Sequence, residues 1–136
     1  MTKIAIIGAG ISGLTLAHYL DDHTNVTLFE TSRGVSGRTS TRYAEPFIFD
    51  HGAQYFTART PAFQQFITPM IENGIIKRWN ACYVNFDRNI INKQVNWAKE
   101  EPRYVGVPRM NAMAQFLAEG RNIEINTHIV SVTRDA

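Results

Sequence analysis

An α/β fold with a parallel sheet is predicted by three neighbouring features: an isoleucine-rich run at Lys3–Ile7, a glycine turn at Gly8–Gly13 that ends it, and a second β-prone run at Val26–Phe29. A continuous apolar run suits a parallel strand covered on both faces, because neither face meets water. Between the two runs Ile11, Leu14, Leu16, Ala17 and Leu20 recur at helical spacing until the polar stretch Asp21–Asn25 breaks the pattern. Strand, glycine turn, helix and strand within about 30 residues make a βαβ unit, the opening of a Rossmann-type dinucleotide-binding fold.

The elements after this unit follow from local signals. Residues Thr31–Tyr43 are rich in glycine, serine and arginine and show no periodicity, so they read as a binding loop. Phe47–Phe49 reads as a short strand. Thr60 and Pro61 then read as N-cap and first position of a helix that turns Phe63, Phe66, Ile67 and Met70 inward. Pro69 should kink or shorten this helix, and Gly74 should stop it. Ile75–Trp79 and Cys82–Phe86 are β-prone, and the chain is expected to leave the nucleotide-binding layer there. Met113, Phe116 and Leu117 mark a helix closed by Gly120, and the alternation Ile123, Ile125, Thr127, Ile129 predicts a strand. The expected organisation is a dinucleotide-binding core over 1–74, the start of an inserted β-rich substrate-domain segment over 75–108, and a return to the first domain over 109–136. The sheet is expected to be incomplete at the C-terminus.

Composition narrows the function classes. The 136 residues carry 14 Lys and Arg against 12 Asp and Glu, and the basic residues are scattered, which gives no nucleic-acid footprint. Cys82 is the single cysteine, so neither a disulfide framework nor a cysteine-based metal site is expected, and it reads as a half-buried strand residue. The apolar run Ile4–Ile7 is too short for a signal-peptide core or a membrane span. The expectation is a soluble, cytoplasmic protein; no pattern specifies its oligomeric state.

The chemistry resides in Gly8-Ala9-Gly10-Ile11-Ser12-Gly13, a G-x-G-x-x-G placed between a predicted strand and a predicted helix. Gly8 permits the tight turn, Gly10 lets a pyrophosphate approach the backbone, and Gly13 lets helix and strand pack closely. The helix starting near Ile11 aims free N–H groups and a positive dipole end at the phosphates. Glu30, at the end of the second strand, can accept hydrogen bonds from ribose hydroxyls and disfavours a 2′-phosphate. FAD and NAD share this fingerprint. The loop that follows, Thr31 to Arg38 with Arg33, Gly34, Ser36, Gly37 and Arg38, fits a second phosphate contact and favours FAD.

Four segments resemble the flavin-containing amine oxidase superfamily, and within it the renalase-like branch of FAD-dependent oxidoreductases. They are IAIIGAGISGLTLAHYL, the E-x-x-R-G-x-x-G-R stretch Glu30–Arg38, FDHGAQYFTAR at Phe49–Arg59, and YVGVPRMNAMAQFLA at Tyr104–Ala118. The resemblance implies that Gly8, Gly10, Ser12 and Gly13 hold the pyrophosphate of FAD, Glu30 its ribose and Arg38 a phosphate. It further implies that Val130 meets the adenine through its backbone and that Arg42 and Gln54 lie near the flavin. Gly52-Ala53 is small enough for an isoalloxazine ring to lie against the backbone, with Tyr55 and Phe56 as candidate pocket walls or core. Arg109 departs from the family's usual small glycine. The C-terminal half that completes the substrate domain in such enzymes is not among these residues.

The function expected is that of an oxidoreductase whose flavin accepts a hydride from a small molecule, such as a dihydronicotinamide isomer, and passes electrons to O2. Alternatives are an amine oxidase on the same fold, a non-catalytic dinucleotide-binding fragment, and an NAD module. His51 reads as structural, no catalytic side chain is assigned, and no metal is expected. Trp79, Tyr83, Phe86 and Trp97 read as packing before substrate walls.

Overall fold

The computed structural model describes residues 2–20, 24–97 and 101–134. The predicted unit is present as β1 (Thr2–Ile7), α1 (Ile11–Leu20) and β2 (Thr24–Phe29), with β1 and β2 parallel and Ile6 opposite Leu28. The fold is Rossmann-type. The polar break expected after α1 lies mostly outside the described residues.

Downstream come β3 (Thr41–Ala44), β4 (Phe47–Asp50), β5 (Phe56–Thr57) and α2 (Pro61–Glu72). They are followed by β6 (Ile76–Arg78), β7 (Cys82–Asp87), β8 (Ile90–Asn96) and β9 (Arg103–Gly106), and then by α3 (Ala112–Ala118) and β10 (Asn122–Glu124). The main sheet runs β1-β2-β10, and β10 is parallel to β2. An antiparallel sheet β5-β9-β6 and the hairpins β3-β4 and β7-β8 supply the β-rich remainder.

The core fills one side of the parallel sheet. Ile6 and Leu28 meet Leu14 and Ala17 of α1 and Met113, Ala114 and Leu117 of α3, and Ile67, Met70 and Ile76 extend the same cluster. These side chains recur at helical spacing on α1 and α3 and at alternate positions on the strands, so one face of each element is apolar. Burying a large aliphatic side chain is worth about 1.5–3 kcal/mol, which makes this cluster the main source of cohesion.

Five expectations change. β1 is covered on one face only: Ile6 is buried, whereas Ile7 on the opposite face is 61% exposed. The loop expected over Thr31–Tyr43 ends earlier, because Thr41–Ala44 pairs with Phe47–Asp50 as a hairpin. Pro69 neither ends nor shortens α2, which runs to Glu72; the carbonyl it would have bonded belongs to Gln65, an exposed residue whose backbone can turn to water. The strand expected over Ile123–Ile129 stops at Glu124, since β2 offers no partner beyond Phe29 and Asn126 turns the chain at φ 54°. Its amide donates to the Ser32 carbonyl instead, and that of Thr127 to Glu30. Cys82 is exposed rather than half-buried.

Thr60 caps α2 as expected, its hydroxyl accepting from Phe63 N, and Gly74 follows the helix at φ 72°. Tyr55, Trp79, Tyr83 and Trp97 form one aromatic cluster, with ring centroids 5.1 Å apart for Tyr55–Trp97 and for Trp79–Trp97. Phe86, by contrast, is 60% exposed.

Candidate functional site

The glycine turn is shaped by steric demands that differ from position to position. Gly8 sits at φ 99°, where a side chain is strained. A Cβ on Gly13 would lie 2.1 Å from the Gly8 carbonyl oxygen, so helix and strand approach as closely as they do only without it. Gly10 faces Gly37 of the second loop; a Cβ there would find ordinary contact at 3.8 Å. The Ser36 amide donates to the Ala9 carbonyl at 3.0 Å and ties the two loops together.

These loops border a groove of about 500 Å³. Gly8, Gly10, Ile11, Ser12 and Gly13 form one wall, and Gly37, Arg38 and Ala53 stand across from them. The first α-helical bond of α1 runs from Leu14 N to Gly10 O at 3.0 Å, which leaves the amides of Ile11, Ser12 and Gly13 at the helix mouth without an intrahelical acceptor. No acidic residue occupies the first turn to compete for them. The mouth of α1 is therefore suited to an anion.

Glu30 is fixed beneath this turn. It is 6% exposed; one carboxylate oxygen accepts from Ala9 N at 2.8 Å, and the other accepts from Ser32 N at 2.9 Å and from the Ser32 hydroxyl. Burial pushes its pKa up, but the bonds from Ser32, Ala9 and Thr31 outweigh burial and hold it below the ordinary value. The result is an ionised acceptor held beneath the glycine turn.

The other predicted residues disperse around the groove. Gly52 and Ala53 line a neighbouring hollow with Arg38 and His51. The missing Cβ of Gly52 serves the loop itself, since that atom would lie 2.0 Å from the Arg38 carbonyl oxygen, and Ala53 N donates to the same oxygen at 2.9 Å. Arg42 stands in a third hollow beside Arg33. Gln54 is exposed, and Tyr55 packs in the aromatic cluster, where the Arg103 guanidinium lies 5.7 Å from its ring centroid. Thr31 bonds His128 at 3.1 Å, bringing the chain after β10 alongside the loop; Val130 lies two residues further on with 85% of its surface exposed. His51 is exposed and meets Ser40 Oγ at 3.4 Å.

Sequence reasoning missed Phe63, Met110 and Met113 as lining of the groove. Their apolar spacing signals burial alone, and nothing local distinguishes a core position from a groove floor. Arg109, the departure from the family pattern, donates to the Tyr43 hydroxyl at 2.8 Å and lies over its ring at 5.0 Å. Asp50 accepts from Met110 N at 3.1 Å and from the Thr41 hydroxyl at 2.6 Å, fastening the hairpin to the approach to α3. Among the described residues no helix is long and apolar enough to cross a membrane.

Known proteins resemble this part of the chain. Residues 6–68 match the family model of the NAD(P)-binding Rossmann-like domain. Protoporphyrinogen oxidase 2, chloroplastic/mitochondrial, of Arabidopsis thaliana is 37% identical over 60 residues, 43% of this chain and 12% of that protein. The mitochondrial protoporphyrinogen oxidase of Nicotiana tabacum is 39% identical over 56 residues, 40% of this chain and 11% of that protein. Among solved structures, putrescine oxidase bound to putrescine superposes with a TM-score of 0.47 at 24% identity, covering 70% of this chain and 21% of its own. The chain thus spans about one eighth of the length of the curated relatives it matches.

Proposed function

We propose that the chain is the FAD-binding part of a flavin-dependent oxidoreductase of amine-oxidase type. The observation that carries this reading is the joining of the helix mouth and the arginine-bearing loop around one groove, with the Glu30 carboxylate bonded to the glycine turn beneath it. The residues fit the cofactor: two glycine-bearing backbones face each other without side chains between them, and the groove shares Gly37, Arg38 and Ala53 with the hollow at Gly52. An elongated dinucleotide can therefore run from one to the other. The similarity to two oxidases over about 60 residues supports an oxidase.

In this reading the amides of Ile11, Ser12 and Gly13 and the guanidinium of Arg38 bind the pyrophosphate. Glu30 takes a ribose hydroxyl, while Thr31 and the backbone near Val130 border the adenine. Gly52, Ala53 and Gln54 border the ring end. FAD, when bound, supplies the two-electron acceptor, so the chain needs no general base of its own. The renalase-like segments at Phe49–Arg59 and Tyr104–Ala118 support a dihydronicotinamide isomer as donor, oxidised by loss of a hydride, with O2 as the final acceptor and hydrogen peroxide as product.

A second reading, dinucleotide binding without turnover by this chain alone, is favoured by one observation. The aromatic cluster that a flat substrate would need is filled by Arg103, whose guanidinium lies 4.3 Å from the Trp97 ring centroid. One experiment addresses both. The purified chain is incubated with FAD, desalted and scanned for flavin bands at about 375 and about 450 nm, then assayed for peroxide with dihydronicotinamide isomers and with amines. Bands retained by a folded chain are the expected result, and their absence refutes FAD binding. Bands without peroxide favour the second reading.

A further inference from the structure

The loop that carries Arg38 meets the glycine turn at Ser36, and the backbone there is fully engaged. The Ser36 amide donates to the Ala9 carbonyl, and its own carbonyl accepts from Thr39 N at 3.1 Å and from the Thr39 hydroxyl at 3.0 Å. The residue also pairs with Gly10 as a parallel bridge. Its backbone lies at φ 114°, ψ −19°, a left-handed conformation that glycine adopts freely and a residue with a Cβ does not. For the turn alone, glycine would serve better than serine.

Nor does the hydroxyl secure the loop. Ser36 is 1% exposed, and its Oγ is buried with no hydrogen-bond partner among the described residues. A buried hydroxyl left unpaired is destabilising. A left-handed backbone and an unpaired buried hydroxyl thus coincide at one residue, and such a coincidence marks a position kept for binding rather than for folding. Ser36 stands in the wall of the glycine groove beside Gly37 and Arg38. Gly10 and the unpaired amides of Ile11, Ser12 and Gly13 lie across from it, at the mouth of α1. The helix mouth and the unpaired hydroxyl therefore border the same space from opposite sides.

We propose that Ser36 is a ligand-binding residue whose hydroxyl donates to a phosphate oxygen of the bound dinucleotide. The proposal rests on the flavoenzyme reading above and adds a donor to its pyrophosphate site, on the wall opposite the helix mouth. A phosphate oxygen only accepts, so the hydroxyl is the donor. Serine has a single side-chain torsion, and a change of rotamer turns Oγ into the groove with the loop backbone in place.

The test sets FAD affinity beside folding stability in Ser36→Ala and Ser36→Gly, by titration of flavin fluorescence and by urea unfolding of the FAD-free chain. Ser36→Ala removes the hydroxyl alone, whereas Ser36→Gly removes it and relieves the backbone. FAD affinity is expected to fall about tenfold in both, the scale of a hydrogen bond to a charged acceptor. The urea midpoint is expected to hold level in Ser36→Ala and to rise in Ser36→Gly. A purely structural role would move affinity and stability together. Unchanged FAD affinity in either variant, or a lowered midpoint in Ser36→Ala, overturns the proposal. If the parent chain holds no FAD, the flavin reading fails, and inorganic pyrophosphate is titrated by calorimetry instead. Binding that weakens in Ser36→Ala keeps the phosphate donor; binding equal in the two chains, or none, rejects it.

Discussion

Replacing Gly52 by alanine separates two accounts of why a glycine stands there. From sequence, its smallness leaves space for a flavin ring; in the structure, it lets the chain pass against the carbonyl of Arg38. The added methyl carbon would lie 2.0 Å from the Arg38 oxygen and 2.9 Å from its carbon, against an ordinary contact of 3.4 Å or more. Both neighbours are backbone, so relief requires the 38–40 turn or the 51–53 segment to move by more than 1 Å, breaking the 2.9 Å bond from Ala53 N to Arg38 O. Overpacking costs about 1–3 kcal/mol and a lost backbone bond about 0.5–1.5 kcal/mol, so a destabilisation of about 2–4 kcal/mol is expected without any cofactor. For a domain of total stability near 5–15 kcal/mol this is a large fraction, and urea unfolding of the FAD-free chain reads it as a lowered midpoint at unchanged slope. A midpoint equal to that of the parent chain, combined with lost FAD retention, would refute the loop-packing argument and return Gly52 to the ring.

Three further outcomes are expected. Gly10→Ala should fold normally, because its Cβ meets only Gly37 at 3.8 Å, but should lose about tenfold or more in FAD affinity if phosphate packs against that backbone; desalting retention of flavin absorbance measures it. The Glu30 pKa is lowered on folding, so its stabilising contribution is complete above the ordinary value of 4.5 and is lost as pH falls through the lowered value. Glu30→Gln should accordingly flatten the acid limb of thermal stability below pH 4.5, and an unchanged limb in a scanning series would contradict the hydrogen-bond network. Arg59→Ala removes the ion pair to Glu101, whose side chains are 73% and 40% exposed, and should leave the urea midpoint unchanged within error, as exposed pairs contribute little.

How much was legible before folding depended on whether the signal was local. The βαβ unit was readable because a strand, a glycine turn and a helix each leave their period within a few residues, and because Gly8 answers to its own positive φ and Gly13 to the Gly8 carbonyl five residues before it. Glu30 was readable from its place at the end of β2. The cap at Thr60 and the stop at Gly74 were readable for the same reason. The pairing of Thr41–Ala44 with Phe47–Asp50 was missed because the polar stretch before it shows no alternation and the ladder depends on a partner strand. The strand after Ile123 was overextended because alternation says nothing about where a neighbouring strand ends.

By itself, then, the sequence determined the parallel unit, the glycine turn and the acid that follows it, all short-range consequences of sterics and periodicity. Only the tertiary structure decided which residues share a cavity. Arg42 joins Arg33 and Asn111 rather than the glycine groove, Tyr55 turns into an aromatic cluster, and Gly52 yields to the Arg38 backbone. These neighbours are brought together by the packing of α1, α3 and the sheets, and side chains distant along the chain carry no period from which their meeting can be read.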